Sequence, residues 1–93
     1  MNTFSWRNIY SFETHKYTIS LTEAFNGMTM RIWGICHKEG ELYKVAVRTK
    51  DRKDLRTIEE LLPLEEAKLA IEKKLFDDGV ISEGDEVEDY TVD

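Results

Sequence analysis

The sequence predicts an α+β domain in which a three- or four-stranded antiparallel meander sheet is packed by one main C-terminal helix. Two glycine turns, Asn26-Gly27 and Glu39-Gly40, predict the sheet, because alternating apolar residues flank each of them. Apolar residues at helical spacing after Pro63 predict the helix. A chain of 93 residues builds one hydrophobic core, so we place a single domain over residues 1–82 and a partly ordered acidic tail over residues 83–93.

The Asn26-Gly27 turn sets the register of the first hairpin. Both of its residues accept the positive φ angles of a two-residue type I′ turn, which pairs Phe25 with Met28. This register sorts side chains cleanly, because a slip of one residue would move each of them to the other face. The pairs expected on the apolar face are Leu21 with Ile32, Ile19 with Gly34, and Tyr17 with Cys36.

The second turn, centred on Glu39-Gly40, adds a third strand over residues up to 50. It places Cys36 opposite Tyr43 and Gly34 opposite Val45, so the apolar face continues. The aromatic and β-prone run 6–13 alternates less clearly, and we predict it as a fourth, edge strand.

The helical half of the chain begins after a polar link. The segment 57–60, Thr-Ile-Glu-Glu, matches a capping box and predicts a short helical turn. Pro63 suits the first turn of the main helix, and Gly79 suits its C-terminal stop. The stripe that should pack on the sheet is Leu64, Ala67, Ile71 and Leu75, and the charged outer face is Glu65, Glu66, Lys68, Glu72 and Lys73.

Charge is distributed unevenly along the chain. The formal net charge is −6, yet residues 1–53 carry +4 and residues 54–93 carry −10. The one cysteine, Cys36, cannot form an internal disulfide, which favours a reducing, cytoplasmic location. The sequence contains neither a secretory h-region nor an apolar run of membrane-spanning length, so we predict no association with a membrane.

Candidate catalytic and metal-binding groups are few. In the predicted register His15 and Cys36 point to one face of the sheet and His37 to the other, so these three do not converge on a metal. The chain carries no nucleophile elbow, phosphate-binding loop or EF-hand spacing. We therefore predict no enzyme, no catalytic residue, no metal and no cofactor.

The acidic half predicts a function in protein binding. Such a surface attracts a basic partner by long-range electrostatics, as in small inhibitor, immunity or adaptor proteins. The predicted recognition surface consists of Glu65, Glu72, Asp77, Asp78, Glu83, Asp85, Glu86, Glu88, Asp89 and Tyr90. Open sheet edges and oppositely charged halves are also compatible with a homodimer.

The reverse face of the predicted sheet carries the alternative function. There Arg31 and Arg48 would lie opposite each other beside Trp33, an arrangement that suits the phosphates and a stacked base of single-stranded nucleic acid. The residues of this alternative site are Arg31, Trp33, His37, Lys44, Arg48 and Lys50. A merely solvated face of basic and polar residues is the competing interpretation.

Overall fold

The computed structural model describes residues 3–12, 14–25, 29–51 and 54–92 and shows an α+β fold. In chain order the elements are β1 (Thr3–Ser11), β2 (Lys16–Phe25), β3 (Thr29–Glu39), β4 (Leu42–Arg48), β5 (Leu55–Leu62), α1 (Leu64–Asp77) and β6 (Glu86–Asp89). The strands form one sheet in the order β5-β4-β3-β2-β1-β6, which is antiparallel except between β1 and β6. No helix within the described ranges is long and apolar enough to cross a membrane.

The first strand is internal and not at the edge as predicted. It pairs with β2 on one side and with β6 on the other, where Phe4 lies opposite Val87 and Trp6 opposite Asp89. The edge prediction was wrong because the far end of the chain supplies another strand. Val87 packs against the core while Glu86 stays exposed, so even this acidic segment has the alternation that a sheet edge needs.

The predicted helical turn over residues 57–60 is also wrong, because this segment belongs to β5. Thr57 pairs with Ala46 and Ile58 with Val45, and Ile58 packs against the core. Six residues of β5 pair with β4, with an irregularity at residues 59 and 60, whereas a capping box satisfies only two amides. Over the described ranges the sheet therefore has six strands instead of three or four.

The hairpin of β2 and β3 forms with a different register. The Asn26-Gly27 turn lies outside the described residues, but Phe25 pairs with Thr29 and not with Met28. Further along, Leu21 pairs with Gly34 while Thr22 pairs with Ile32, so Trp33 is the extra residue of a β-bulge. Because a bulge adds one residue to one strand, the residues of β3 that precede Gly34 lie on the opposite face from the one predicted.

The hairpin of β3 and β4 turns one residue later than predicted. Glu39 pairs with Leu42, which leaves Gly40 and Glu41 in the turn, and Gly40 has a φ of +66°. Cys36 consequently lies opposite Val45 and not Tyr43. The shift moves the pairing by two residues, so the side chains keep the face that the sequence predicted.

Helix α1 begins directly after Pro63, and Gly79 follows its end with a φ of +79°. Its buried face includes Ala67, Ile71 and Leu75, as the helical spacing predicts. Lys68 departs from the prediction, since it was assigned to the outer face and is only 5% exposed. α1 is also not the last element, because β6 follows it.

The two faces of the sheet have different characters. The helix face, which α1 covers, carries the hydrophobic core. Its buried strand residues are Phe4, Trp6, Leu21, Trp33, Cys36, Val45 and Val47. The opposite face, which we call the groove face, is concave, and Thr18, Ser20 and Thr22 of β2 are buried there. The hydroxyl groups of Thr18 and Ser20 hydrogen-bond each other at 3.0 Å, and Thr22 Oγ1 donates to the carbonyl oxygen of Ser5.

Candidate functional site

An apolar and acidic stripe runs along α1. Glu65, Leu69, Glu72 and Phe76 recur every three or four residues and therefore share one side of the helix, which we call the outer stripe. Leu69 is 63% exposed and Phe76 is 55% exposed. Neither was among the predicted recognition residues, although their helical spacing with the two glutamates could have identified them.

Lys68 fixes β6 beside this stripe. Its ammonium group donates to Asp89 Oδ2 at 2.6 Å and to Thr91 Oγ1 at 3.1 Å. The Lys68 side chain is almost fully buried, whereas about half of Asp89 is exposed. Burial alone would raise the pKa of Asp89, but the hydrogen bonds from Lys68 and Thr91 outweigh burial and lower it. Asp89 therefore stays charged, next to the stripe and partly open to a partner.

Glu72 connects the stripe to the core. The indole Nε1 of Trp6 donates to Glu72 Oε1 at 3.4 Å. Burial raises the pKa of Glu72, and the nearby charges of Asp89 and Glu65 raise it further, against the lowering effects of Trp6 and Lys68. In this cluster the carboxylates of Glu65, Glu72 and Asp89 outnumber the ammonium group of Lys68.

Other predicted recognition residues lie elsewhere. Asp77 and Asp78 are at the C-terminal end of α1, where the backbone N–H of Lys50 donates to Asp78 Oδ2 at 2.5 Å. Glu83 and Asp85 lie in the loop before β6, and Asp85 accepts a hydrogen bond from the backbone of Ser82. Since α1 rises about 1.5 Å per residue, its C-terminal acids lie roughly 20 Å from its first turn.

The remaining acids of β6 face the other side of the sheet. Glu86 and Glu88 alternate with Val87, so they lie on the groove face. The Tyr90 hydroxyl donates to Glu88, and this hydrogen bond to a negative group raises the pKa of the tyrosine. Arg7 lies over the Tyr90 ring at 4.7 Å. The predicted recognition residues that the structure brings together beside α1 are Glu65, Glu72 and Asp89.

The predicted nucleic-acid site does not form, because Trp33 is buried. The bulge turns this side chain to the helix face, where it is 6% exposed and its Nε1 donates to Glu23 Oε1 at 3.0 Å. Arg31 accompanies it, with its guanidinium 5.4 Å from the Trp33 ring centroid. A buried indole cannot stack on a base, so the predicted aromatic contact is wrong.

The predicted cations are consequently divided between the two faces. His37, Lys44 and Arg48 lie on the groove face, because Val45 and Val47 take the helix face of β4. Arg31 therefore does not lie opposite Arg48, contrary to the predicted register. Lys50 lies beyond β4, beside the C-terminal end of α1. No single face holds the cations and the tryptophan together, so we do not retain single-stranded nucleic acid as a partner.

The other chemically active side chains are also dispersed. Burial raises the pKa of the Cys36 thiol to about 12, which the positive charge of Lys68 only partly offsets. His15 is exposed in the turn after β1 and not core-facing, and its Nδ1 lies 3.3 Å from the Tyr10 hydroxyl. Among the described residues, no three His, Cys, Asp or Glu side chains cluster to hold a metal ion.

A groove that the sequence did not predict crosses the sheet opposite α1. It has a volume of about 400 Å³ and is lined by residues of β1 to β5. Ile9, Ile35 and Ala46 provide apolar walls, and His37 lies directly opposite Lys44 within it. The one hint in the sequence is Ile35, an isoleucine that the predicted register places on the same face as the basic residues and Trp33.

Comparison of the chain with known protein families, with curated proteins and with solved structures found no significant match.

Proposed function

We propose that this protein is a non-enzymatic protein-binding module of inhibitor, immunity or adaptor type, and that the outer stripe of α1 with Asp89 contacts a basic partner. The observation that carries the proposal is the exposure of Leu69 and Phe76, which alternate with Glu65 and Glu72 along one side of α1. A cytoplasmic location, expected from the sequence, belongs to the same proposal.

The two apolar side chains supply the affinity in this proposal. Interfaces gain most of their energy from a few large side chains that become fully buried, and aromatic residues are prominent among them. When a partner covers Phe76 and Leu69, their apolar surface is removed from water. This burial contributes a favourable hydrophobic free energy of about 25 cal/mol per Å². The surrounding carboxylates form the polar rim that such an interface needs.

The charges supply the specificity. Asp89, Lys68 and Glu65 all act electrostatically on Glu72, so a lysine or arginine from a partner meets a cluster of three carboxylates and one ammonium group. A cation placed beside Glu72 would lower its raised pKa and so favour its charged form. Binding should therefore weaken as the pH falls toward the range in which Glu72 becomes protonated, and it should weaken with added salt.

The experiment is affinity capture from a lysate of the source organism with paired variants of the immobilised protein. Phe76→Ser and Glu65→Lys change the outer stripe. Phe12→Ser and Glu41→Lys make the same changes in exposed turns of the described chain, away from α1. We expect the wild type and both control variants to retain the same basic protein and both stripe variants to lose it. Equal capture by all five forms, or capture by none, would contradict the proposal.

A further inference from the structure

The groove face carries a second surface that the proposed function does not use. Residues of five neighbouring strands line one concavity, and Thr14 of the turn between β1 and β2 adds to its rim. Its volume of about 400 Å³ lies within the range of pockets that hold small molecules. Because α1 covers only the helix face, this groove remains open.

The lining combines an apolar body with cations at one end. Ile35 of β3 and Ala46 of β4 are cross-strand partners in the middle of the groove, and Ile9 of β1 lines it from the other side. The next cross-strand pair on this face is His37 with Lys44. None of the described residues that line the groove is acidic, so no carboxylate among these lining residues neutralises the charge of Lys44.

A second cation lies farther along the same face of β4. Arg48 is half-buried, and its buried Nε has no hydrogen-bond partner among the described residues. Buried donors of this kind are normally satisfied, so this one calls for an acceptor that the described residues do not supply. The His37 and Lys44 end of the groove therefore favours negative charge, and its middle favours apolar groups. Arg48 adds a second positive charge on the same face of β4, outside the lining of the groove.

We propose that the groove binds a small amphipathic anion, a molecule with an apolar chain or ring and a single carboxylate. The carboxylate would accept hydrogen bonds from Lys44 and His37, and the apolar part would lie along Ile35 and Ala46. The site is independent of the outer stripe, because the sheet separates the two.

The test uses decanoate as the probe, below its micelle-forming concentration, with decanol as the uncharged counterpart of the same chain length. Titrations followed by calorimetry and by methyl NMR give the affinity and the place of binding. We expect decanoate to bind, decanol to bind at least tenfold more weakly, and the methyl signals of Ile9, Ile35 and Ala46 to shift most. Failure of decanoate to bind, equal affinity for decanol, or shifts concentrated at Leu69 on the helix would each overturn the proposal.

Matched variants locate the anion. Lys44→Gln removes the groove cation, and Lys38→Gln makes the same change at an exposed site on the helix-face side of β3. We expect Lys44→Gln to weaken decanoate binding about three- to fivefold, the effect of one partly exposed ion pair, and Lys38→Gln to leave it unchanged. Ala46→Phe, checked for folding by circular dichroism, should fill the groove and weaken binding at least tenfold. Equal effects of the two lysine variants, or undiminished binding to Ala46→Phe, would refute the site.

Discussion

Gly34→Ala should destabilise the protein strongly, because α1 packs directly on the backbone of β3 at this glycine. A Cβ atom added at Gly34 would lie 2.5 Å from Cγ2 and 3.1 Å from Cδ1 of Ile71. Carbon atoms in contact normally lie 3.5–4.0 Å apart, so the helix or the strand must move by about 1 Å. Ile71 is fully buried and cannot swing into solvent.

Overpacking of this kind costs about 1–3 kcal/mol, and the severity of the overlap places Gly34→Ala near the upper limit. For a domain of this size, a loss of about 3 kcal/mol lowers the melting temperature by roughly 12 °C or more. The free energy of unfolding can be measured by urea titration. If its slope against urea concentration is unchanged, the native and denatured states have kept their compactness.

The control is a double-mutant cycle with Ile71→Ala. That variant alone should cost about 2–5 kcal/mol through lost packing. Once the Ile71 side chain is gone, the added methyl group at position 34 meets no obstacle, so the double variant should be no less stable than Ile71→Ala. If the two losses add to within about 0.5 kcal/mol, the close approach of helix and sheet at Gly34 is refuted.

Three further predictions concern ionisable groups. Asp89→Asn should cost about 1–2 kcal/mol at pH 7, because it leaves the buried Lys68 ammonium without its carboxylate. Since the folded protein lowers the pKa of Asp89 from the ordinary 3.8, the difference in melting temperature should begin to shrink only below that pH and vanish below the lowered pKa. A difference that stays constant with pH would contradict the ion pair. Glu72→Gln should stabilise the protein by less than about 1 kcal/mol at pH 7, because the raised pKa of Glu72 shows that its charge is disfavoured in the folded state. At pH 4 the wild-type Glu72 is itself mostly protonated, so the gain in melting temperature should disappear there. A variant that is less stable than the wild type at pH 7 would contradict the raised pKa. Cys36, whose thiol pKa is about 12, should react with a disulfide reagent at pH 8 only after denaturation, and rapid reaction of the folded protein would be incompatible with its burial.

The elements that the sequence predicted well depend on local patterns. Helix α1 follows from Pro63, the apolar stripe and Gly79, all within one short segment. The meander of β2, β3 and β4 follows from alternation around two glycine turns. These patterns need no information from distant parts of the chain, which is why the sequence alone identifies them.

The elements that it missed depend on partners far away in the chain. β6 exists because β1 offers it an open edge, and β5 is a strand because β4 pairs with a segment whose local sequence favours a helical turn. The bulge at Trp33 has the largest consequence, since one extra residue in β3 moves an indole from the predicted open face into the core. No residue type at this position marks the bulge in advance.

The candidate site was only partly predictable for the same reasons. Glu65 and Glu72 were identified because helical spacing places them on one surface, and Asp89 joins them only through Lys68 and the position of β6. The groove is lined by side chains from five strands and one turn, and hydrophobic alternation within single strands does not encode their assembly. Phe76 was visible in the sequence as a helical residue, but its exposure required the packing of α1.

The most direct test of the outer stripe as a binding surface is photo-crosslinking in a source lysate, with benzoylphenylalanine in place of Phe76 in one sample and of Phe12 in another. We predict a covalent adduct with a basic protein at position 76, absent at position 12 and strongly reduced in 0.5 M salt, where charges are screened over roughly 4 Å. An adduct that forms equally at both positions, or only at position 12, would contradict the assignment.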